Sequence, residues 1–373
     1  MAKQQSFRHH YVPQWYQKGF LNEGQTSFKI LDLHPFIYRD KTGKVRGRGR
    51  SILDKGADAW FFESDLYTTQ VFGEPNDDIE RLLFGPLDEQ GKIAIQAYLH
   101  EDWQTVSKTY GAVFEFMDAL RLRTPKGMLL WGRSGIHDHS LLLHQMQLWR
   151  RMHCLMWAEG VLEIVNAPLG GPKFIFSDHP VTFFNRFVFP HDKHLRPGLD
   201  PPQAWMGTQT IFPMDRNHLF VLTHLEWSQK QGERRARIPR TNPRLFDDTV
   251  IRFDNCIRTR ELTVSQVLEV NYLIKVRAHR YIAGQSEEDL FPERSMKMTL
   301  WSKLGHFLMP SKDKLHKFGG KTFVGYENGE IHFHDEFGRK PVTRAEYEKR
   351  KLEVEELRLT LNRILAREAS RRA

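Results

Sequence analysis

Two short segments carry the side chains whose types and spacing suit chemistry. The first, Arg8-His9-His10-Tyr11-Val12-Pro13-Gln14, sets adjacent imidazoles ahead of a proline that fixes φ. The second, Phe176-Ser177-Asp178-His179-Pro180-Val181, brings an apolar run to a carboxylate just before another proline. An imidazole titrates near pH 6.5, so His9 or His10 suits general acid–base work or metal ligation at neutral pH. Adjacent residues of an extended chain point apart, so only one of the pair readily faces a given site. Asp178 suits orienting that imidazole or holding a cation, and Arg121 and Arg123 have the forked donors that hold a phosphate or carboxylate, or pair with Asp178. Each has an ordinary structural reading beside the chemical one: a hydrogen-bonded core histidine, or an aspartate that shapes a turn. Neither segment is a phosphate-binding glycine loop, a zinc-binding helix or a nucleophile elbow, so the residues mark a site and name no reaction.

Other clusters are weaker. His137-Asp138-His139 with His144 face apart if helical, His191-Asp192-Lys193-His194 reads as a solvated loop, and His332 and His334 share a strand face without enough neighbours for a metal. A divalent metal, if bound, needs His and carboxylate ligands. Cys154 and Cys256 lie too far apart in sequence for a thiolate motif and suit a reducing compartment.

Several elements must position these groups. Residues 28–33 alternate as a strand. A helix is expected after Asn76, which is placed to cap it ahead of Asp77, Asp78 and Glu80. Further helices are expected over 106–123, ended by Thr124-Pro125, and over 140–164. Short apolar runs at 174–176, 181–184, 210–213 and 219–223 predict one small, largely antiparallel sheet. Thr263 and Gln266 have capping-box spacing ahead of a helix carrying Asn271. The texture changes near 286. A basic stretch leads to a hairpin around Asn328-Gly329, then to a charged helix opened by Thr343 and Glu346, with Tyr347, Val354, Leu357, Leu361 and Ile364 as a stripe. That helix either docks on its own domain or meets a partner protein.

The 373 residues are 40% hydrophobic and 12% aromatic, enough for a sizeable core. No apolar run approaches the roughly 18 residues of a membrane span, and the start lacks the apolar core of a signal peptide, so the expectation is a cytoplasmic protein with no membrane contact. The net charge is +9. Arg39, Lys41, Lys44, Arg46, Arg48 and Arg50 stand against Asp40 alone, and Lys230, Arg234, Arg235, Arg237, Arg240 and Arg244 against Glu233. These two basic loops suit contact with nucleic acid.

Together, His9-His10-Tyr11-Val12-Pro13-Gln14, Arg123-Thr124-Pro125, Ser177-Asp178-His179-Pro180-Val181, Ile211-Phe212-Pro213-Met214 and Asn271 resemble a bacterial family of domains of unknown function. Its members open with His-His-Tyr-Val-Pro and later carry a Ser-Asp-x-Pro-Val turn; the resemblance runs over about residues 7 to 285. Members often have Asn where this chain has His179. The resemblance implies positions and no reaction: Tyr11, Gln14, His179 and Asn271 join Arg121 and Arg123 as candidate substrate contacts beside His9, His10 and Asp178.

The resulting expectation is an α+β protein. A largely helical N-terminal half packs on a small antiparallel sheet in a domain over 7–285, and 286–373 form a basic linker, hairpin and helix. The functional expectation is a hydrolase acting on a phosphoester or nucleic acid through a His/Asp site. The alternative is a non-catalytic module that binds nucleic acid or protein. Convergence of His10, Asp178 and Arg123 on one pocket favours the first, and their dispersal into the core the second.

Overall fold

The computed structural model describes residues 8–71, 74–76, 79–132, 139–193, 195, 198–241, 255–319, 322–325, 331–334, 341 and 343–372. The chain begins with β1 (Arg8–His10), α1 (Gln14–Lys18), β2 (Phe28–Asp32), β3 (Ile37–Arg39), β4 (Val45–Arg48), β5 (Ile52–Lys55), β6 (Phe62–Ser64), β7 (Thr69–Val71) and β8 (Glu74–Asn76). A π-helical turn, Ile79–Phe84, leads into α2 (Gly85–Leu99), α3 (Trp103–Arg123), α4 (Pro125–Gly132), α5 (His139–Leu148) and α6 (Cys154–Ala158). Then come β9 (Val161–Asn166), β10 (Phe176–Ser177), β11 (Thr182–Phe184), β12 (Gln209–Pro213), β13 (His218–Thr223), α7 (Leu225–Gln229), β14 (Cys256–Glu261), α8 (Val264–Arg277) and β15 (Tyr281–Gly284). The described chain closes with β16 (Thr322–Gly325), β17 (Ile331–His334) and α9 (Arg344–Arg372). The class is mixed α+β. The longer helices of the first half gather over 85–158, and strands dominate before them.

There are two larger sheets where one was expected. A four-stranded antiparallel sheet runs β10-β15-β2-β5, and a five-stranded sheet runs β11-β12-β13-β9-β14, with β14 parallel to β9. The second sheet is covered on both faces. Leu162, Ile164, Phe212, Phe220 and Leu222 pack into a core with α3 and the aromatic residues Tyr16, Phe20, Phe28 and Phe176. Val165, Ile211, Leu219 and Val221 face the other way, onto Val267, Val270 and Ile274 of α8. Burial on both faces explains the unbroken run Leu219-Phe220-Val221-Leu222, since no position is left for a solvent-facing residue. The helix expected over 140–164 is instead α5 and the short α6, separated by a turn over 149–153, and burial on both faces of the sheet explains why helix does not resume after Ala158. Leu162 and Ile164 belong to β9, paired opposite Leu222 and Phe220, and a short apolar run does not by its period distinguish buried strand from buried helix.

Local capping signals act at two of the helices. Asp102 caps α3, accepting the Thr105 N–H at 3.1 Å, and Thr263 and Gln266 close a complete capping box on α8. The end of α3 positions several candidate residues at once. Thr124 is extended ahead of Pro125, which breaks the helix, and α4 starts immediately. A Cβ on Gly127 would lie 1.9 Å from the Arg121 carbonyl oxygen, so only glycine lets the first turn of α4 close against the end of α3.

Buried apolar residues continue past 286. Leu290, Trp301, Leu304 and Leu308 pack with α8 and the five-stranded sheet, and Leu315 and Phe318 join the larger core. The change at 286 is thus one of residue texture, and core contacts run on to Phe318. The hairpin β16–β17 and the helix α9 are present, while Asn328-Gly329 lie outside the described residues. No helix among the described residues is long and apolar enough to cross a membrane.

Candidate functional site

β1 pairs with β6, placing His10 opposite Phe62 and His9 opposite Glu63. The His9 ring is fully buried and stacks on Tyr67, with centroids 5.4 Å apart and planes 6° apart. Its Nδ1 accepts the Tyr67 backbone N–H at 3.0 Å, which places the proton of the neutral ring on Nε2. The Tyr67 hydroxyl donates to the Arg123 carbonyl at 2.7 Å. The Arg123 side chain is itself buried and donates twice to Asp88, at 2.7 and 3.1 Å. His10 is only partly buried, and the Gln14 amide donates to its Nε2 at 3.0 Å. Desolvation holds its imidazole below the usual value. Tyr11 is buried; desolvation, then the nearby Asp178 and Glu63 carboxylates, push its phenol well above 10.

Asp178 receives a different set of partners. Its carboxylate accepts the backbone N–H groups of His279 (2.9 Å), Arg280 (2.7 Å) and Tyr281 (2.9 Å), three successive donors at the start of β15. It thereby anchors β15 beside β10. Burial raises its carboxyl group, with those three donors opposing the rise. Asn271 plays a similar part on α8: its Oδ1 accepts the Ile175 N–H at 3.2 Å and its Nδ2 donates to the Lys173 carbonyl at 2.8 Å. Both ends of that amide hold the segment entering β10.

The densest charged cluster centres on Asp200, which residue spacing did not single out. Arg121 Nη2 donates to its Oδ2 at 2.9 Å and Lys126 Nζ to its Oδ1 at 2.6 Å, and His179 Nε2 lies 3.5 Å from Oδ2. All four side chains are almost fully buried. Arg121 also donates to the Val181 carbonyl at 2.5 Å and lies over the Phe183 ring, and Lys126 donates to the Arg277 carbonyl at 2.6 Å. Arg277 in turn donates to the Val188 carbonyl at 3.0 Å. Burial opposes ionisation of Asp200, but Lys126, His179 and Arg121 overcome it, and its carboxyl stays well below the usual range. Desolvation, helped by Arg121, lowers His179 to about 3, so its ring is neutral; its Nδ1 lies 2.6 Å from the Thr124 hydroxyl. Of the expected residues the fold therefore joins Arg121 with His179, His9 with Arg123 through Tyr67, and Tyr11 with the nearby Asp178. Asp178 and Asn271 are held by other elements. The only sequence signal for Lys126 and Asp200 was their place beside prolines, in Thr124-Pro125-Lys126 and Asp200-Pro201-Pro202.

Among the described residues no three His, Cys, Asp or Glu side chains group in a way that could hold a metal ion. His137 and Asp138 lie outside the described residues, as does His194, while Asp192 pairs with Arg237 at 2.6 Å. A groove of about 450 Å³ lined by Glu89, Lys92, Gln96, His100 and Thr105 contains none of the candidate residues.

The two basic stretches have different fates. Residues 37–48 form a two-stranded ribbon, β3 paired with β4, where a loop was expected. Asp40 organises its turn, accepting the Thr42 and Lys44 N–H groups and pairing with Arg46 at 2.8 Å. Lys41, Lys44, Arg48 and Arg50 are exposed. In the second stretch Arg235 pairs with Glu226 at 3.1 Å, Arg237 bonds Asp192 and the Phe187 carbonyl, and Arg240 is buried, donating to the Met156 carbonyl at 2.9 Å. Arg244 lies outside the described residues. Only Lys230 and Arg234 of that stretch stand exposed without a carboxylate partner among the described residues.

Comparisons with curated proteins and with solved structures find no match. Residues 158–288, from the end of α6 through β15 and including Asp178, His179, Asp200 and Asn271, match the model of a family described as protein of unknown function (DUF4238), to which the chain is similar over this stretch.

Proposed function

We propose that the protein is a cytoplasmic, non-catalytic module that binds nucleic acid through the β3–β4 ribbon. The observation that carries this reading is the ribbon's composition in its folded form: six Lys or Arg over residues 39–50 against one Asp, with five of the cations exposed and free of carboxylate partners among the described residues, and of these only Arg39 bonded to the ribbon itself, at the Gly43 carbonyl. At about 3.3 Å per residue, the three residues of β3 and the four of β4 extend over roughly 10 and 13 Å, which spreads the cations along several phosphates. A hydrolase would need His10, Asp178 and Arg123 available to a substrate. Asp178 accepts three backbone donors and Arg123 is paired with Asp88, which leaves the surface as the better-supported site. The exposed Leu352 and Leu359 of α9, seven residues apart and on one side of the helix, offer a second face, for a protein partner.

Fluorescence anisotropy of labelled oligonucleotides with the full chain tests the reading. If about four phosphates are neutralised, log affinity should fall with log salt at a slope of about −3 for single strands. Changing Lys41, Lys44, Arg48 and Arg50 together to Ala should remove most of that slope. Salt-insensitive binding, or none at low salt, would overturn the proposal.

A further inference from the structure

The ribbon has two unlike faces. Phe36 and Tyr38 are 64% and 54% exposed and meet edge to face, with ring centroids 4.9 Å apart. Across the ribbon, Tyr38 is paired with Gly47, and the Gly49 N–H donates to the Phe36 carbonyl at 2.7 Å. Both rings thus lie opposite glycines. Arg48 is paired with Ile37, so by strand alternation it points to the other face, while Arg46 is the extra residue where the register shifts between the Tyr38–Gly47 and Arg39–Val45 pairs and bonds Asp40.

The fold does not require these glycines. Neither has a left-handed backbone. A Cβ on Gly47 would meet nothing nearer than Tyr38 at 3.9 Å, and one on Gly49 nothing nearer than 3.6 Å, both ordinary contacts. Glycine weakens a strand and marks either a bulge or close approach by another molecule; Gly47 adjoins the register shift of the ribbon, while Gly49 lies away from it. Here the missing side chains leave two large rings open to water, next to a run of guanidinium groups.

Resting on the nucleic-acid reading above, we infer that the ribbon binds single-stranded nucleic acid, with Phe36 and Tyr38 stacking on unpaired bases and Arg48, Arg50 and the turn residues Lys41 and Lys44 holding the phosphates. Bases in a duplex hide their faces against each other, so exposed rings gain little there, whereas any unpaired base offers a π-face. The strands of the ribbon are about 4.8 Å apart, so arginine side chains reach round either edge to the backbone of a strand lying on the aromatic face.

The test compares anisotropy titrations of the full chain with a labelled mixed-sequence single strand and with its duplex. The single strand should bind at least about tenfold tighter, and Phe36→Ala with Tyr38→Ala should cost about tenfold or more for each base unstacked, leaving the salt slope and the duplex affinity unchanged. Tyr38→Phe should retain the affinity. Gly47→Val, which fits the ribbon, should weaken single-strand binding by covering the Tyr38 ring. Equal affinity for both forms, or full single-strand affinity in the double alanine variant, would overturn stacking while leaving nucleic-acid binding standing. Absence of binding to either form overturns both.

Discussion

His179 supplies the sharpest test of the buried cluster. Its imidazole is enclosed by Arg121, Lys126, Asp200 and Thr124, and its folded value of about 3 lies below the 6.5 of an exposed histidine. Between those values the unfolded chain binds a proton that the folded chain refuses. Stability from this group is therefore complete above pH 6.5 and falls as the pH drops, by about 1.4 kcal/mol per unit. From about pH 7.5 to about pH 5, His179 alone should remove roughly 2 kcal/mol. Asp200 does not confuse the measurement. Its carboxyl is depressed, so its contribution is present above the unfolded value near 3.9 and is lost only as the pH falls through its lower folded value. His10, His224 and His279 are also lowered by burial and act in the same direction, so the informative quantity is a difference. Urea unfolding of the full chain and of His179→Asn at both pH values should show the variant losing about 2 kcal/mol less than the parent on acidification, whatever its stability at pH 7.5. An equal loss in both proteins would refute the inference that this ring is buried neutral.

Asp178→Ala should lower stability by about 3 kcal/mol or more, because three buried N–H groups lose their acceptor at about 1 to 3 kcal/mol each, with Asp178→Asn falling between; an unchanged melting temperature in Asp178→Ala would mean that the carboxylate does not anchor β15. Truncation probes the C-terminal part. Removing 343–373 should leave cooperative unfolding intact, whereas removing 290–373 strips six buried apolar side chains, on the order of 10 kcal/mol at about 1.5 to 3 each, comparable to a domain's whole stability. A soluble, cooperatively melting 1–289 fragment would place the core boundary at the texture change after all.

Features governed by neighbours in the chain were legible without coordinates. Thr263 and Gln266 announce α8 because a cap and its backbone donor lie within one turn, and Thr343 with Glu346 does the same for α9. Thr124-Pro125 ends α3 through a clash between adjacent residues. The alternation of basic residues with glycine over 44–50 was equally visible, yet its meaning was not, since the register that sets Tyr38 against Gly47 exists only once β3 pairs with β4.

What required the tertiary structure shares one cause. Leu162 and Ile164 are strand because β13 lies beside them, and apolar spacing in so short a run is silent on that choice. Residue type alone shows that Asp178, Arg121, Arg123 and His179 can ionise or bond. Whether they face a substrate or one another depends on partners 21 to 103 residues away in sequence: Asp88, Val181, Asp200 and the N–H groups of β15. A buried polar group must be satisfied in space by whatever the fold brings near, and capping or turn preferences act only over a few residues. The candidates for chemistry were thus readable in one dimension, while their engagement in the core, and the exposure of Phe36 and Tyr38 on the ribbon, were decided by packing.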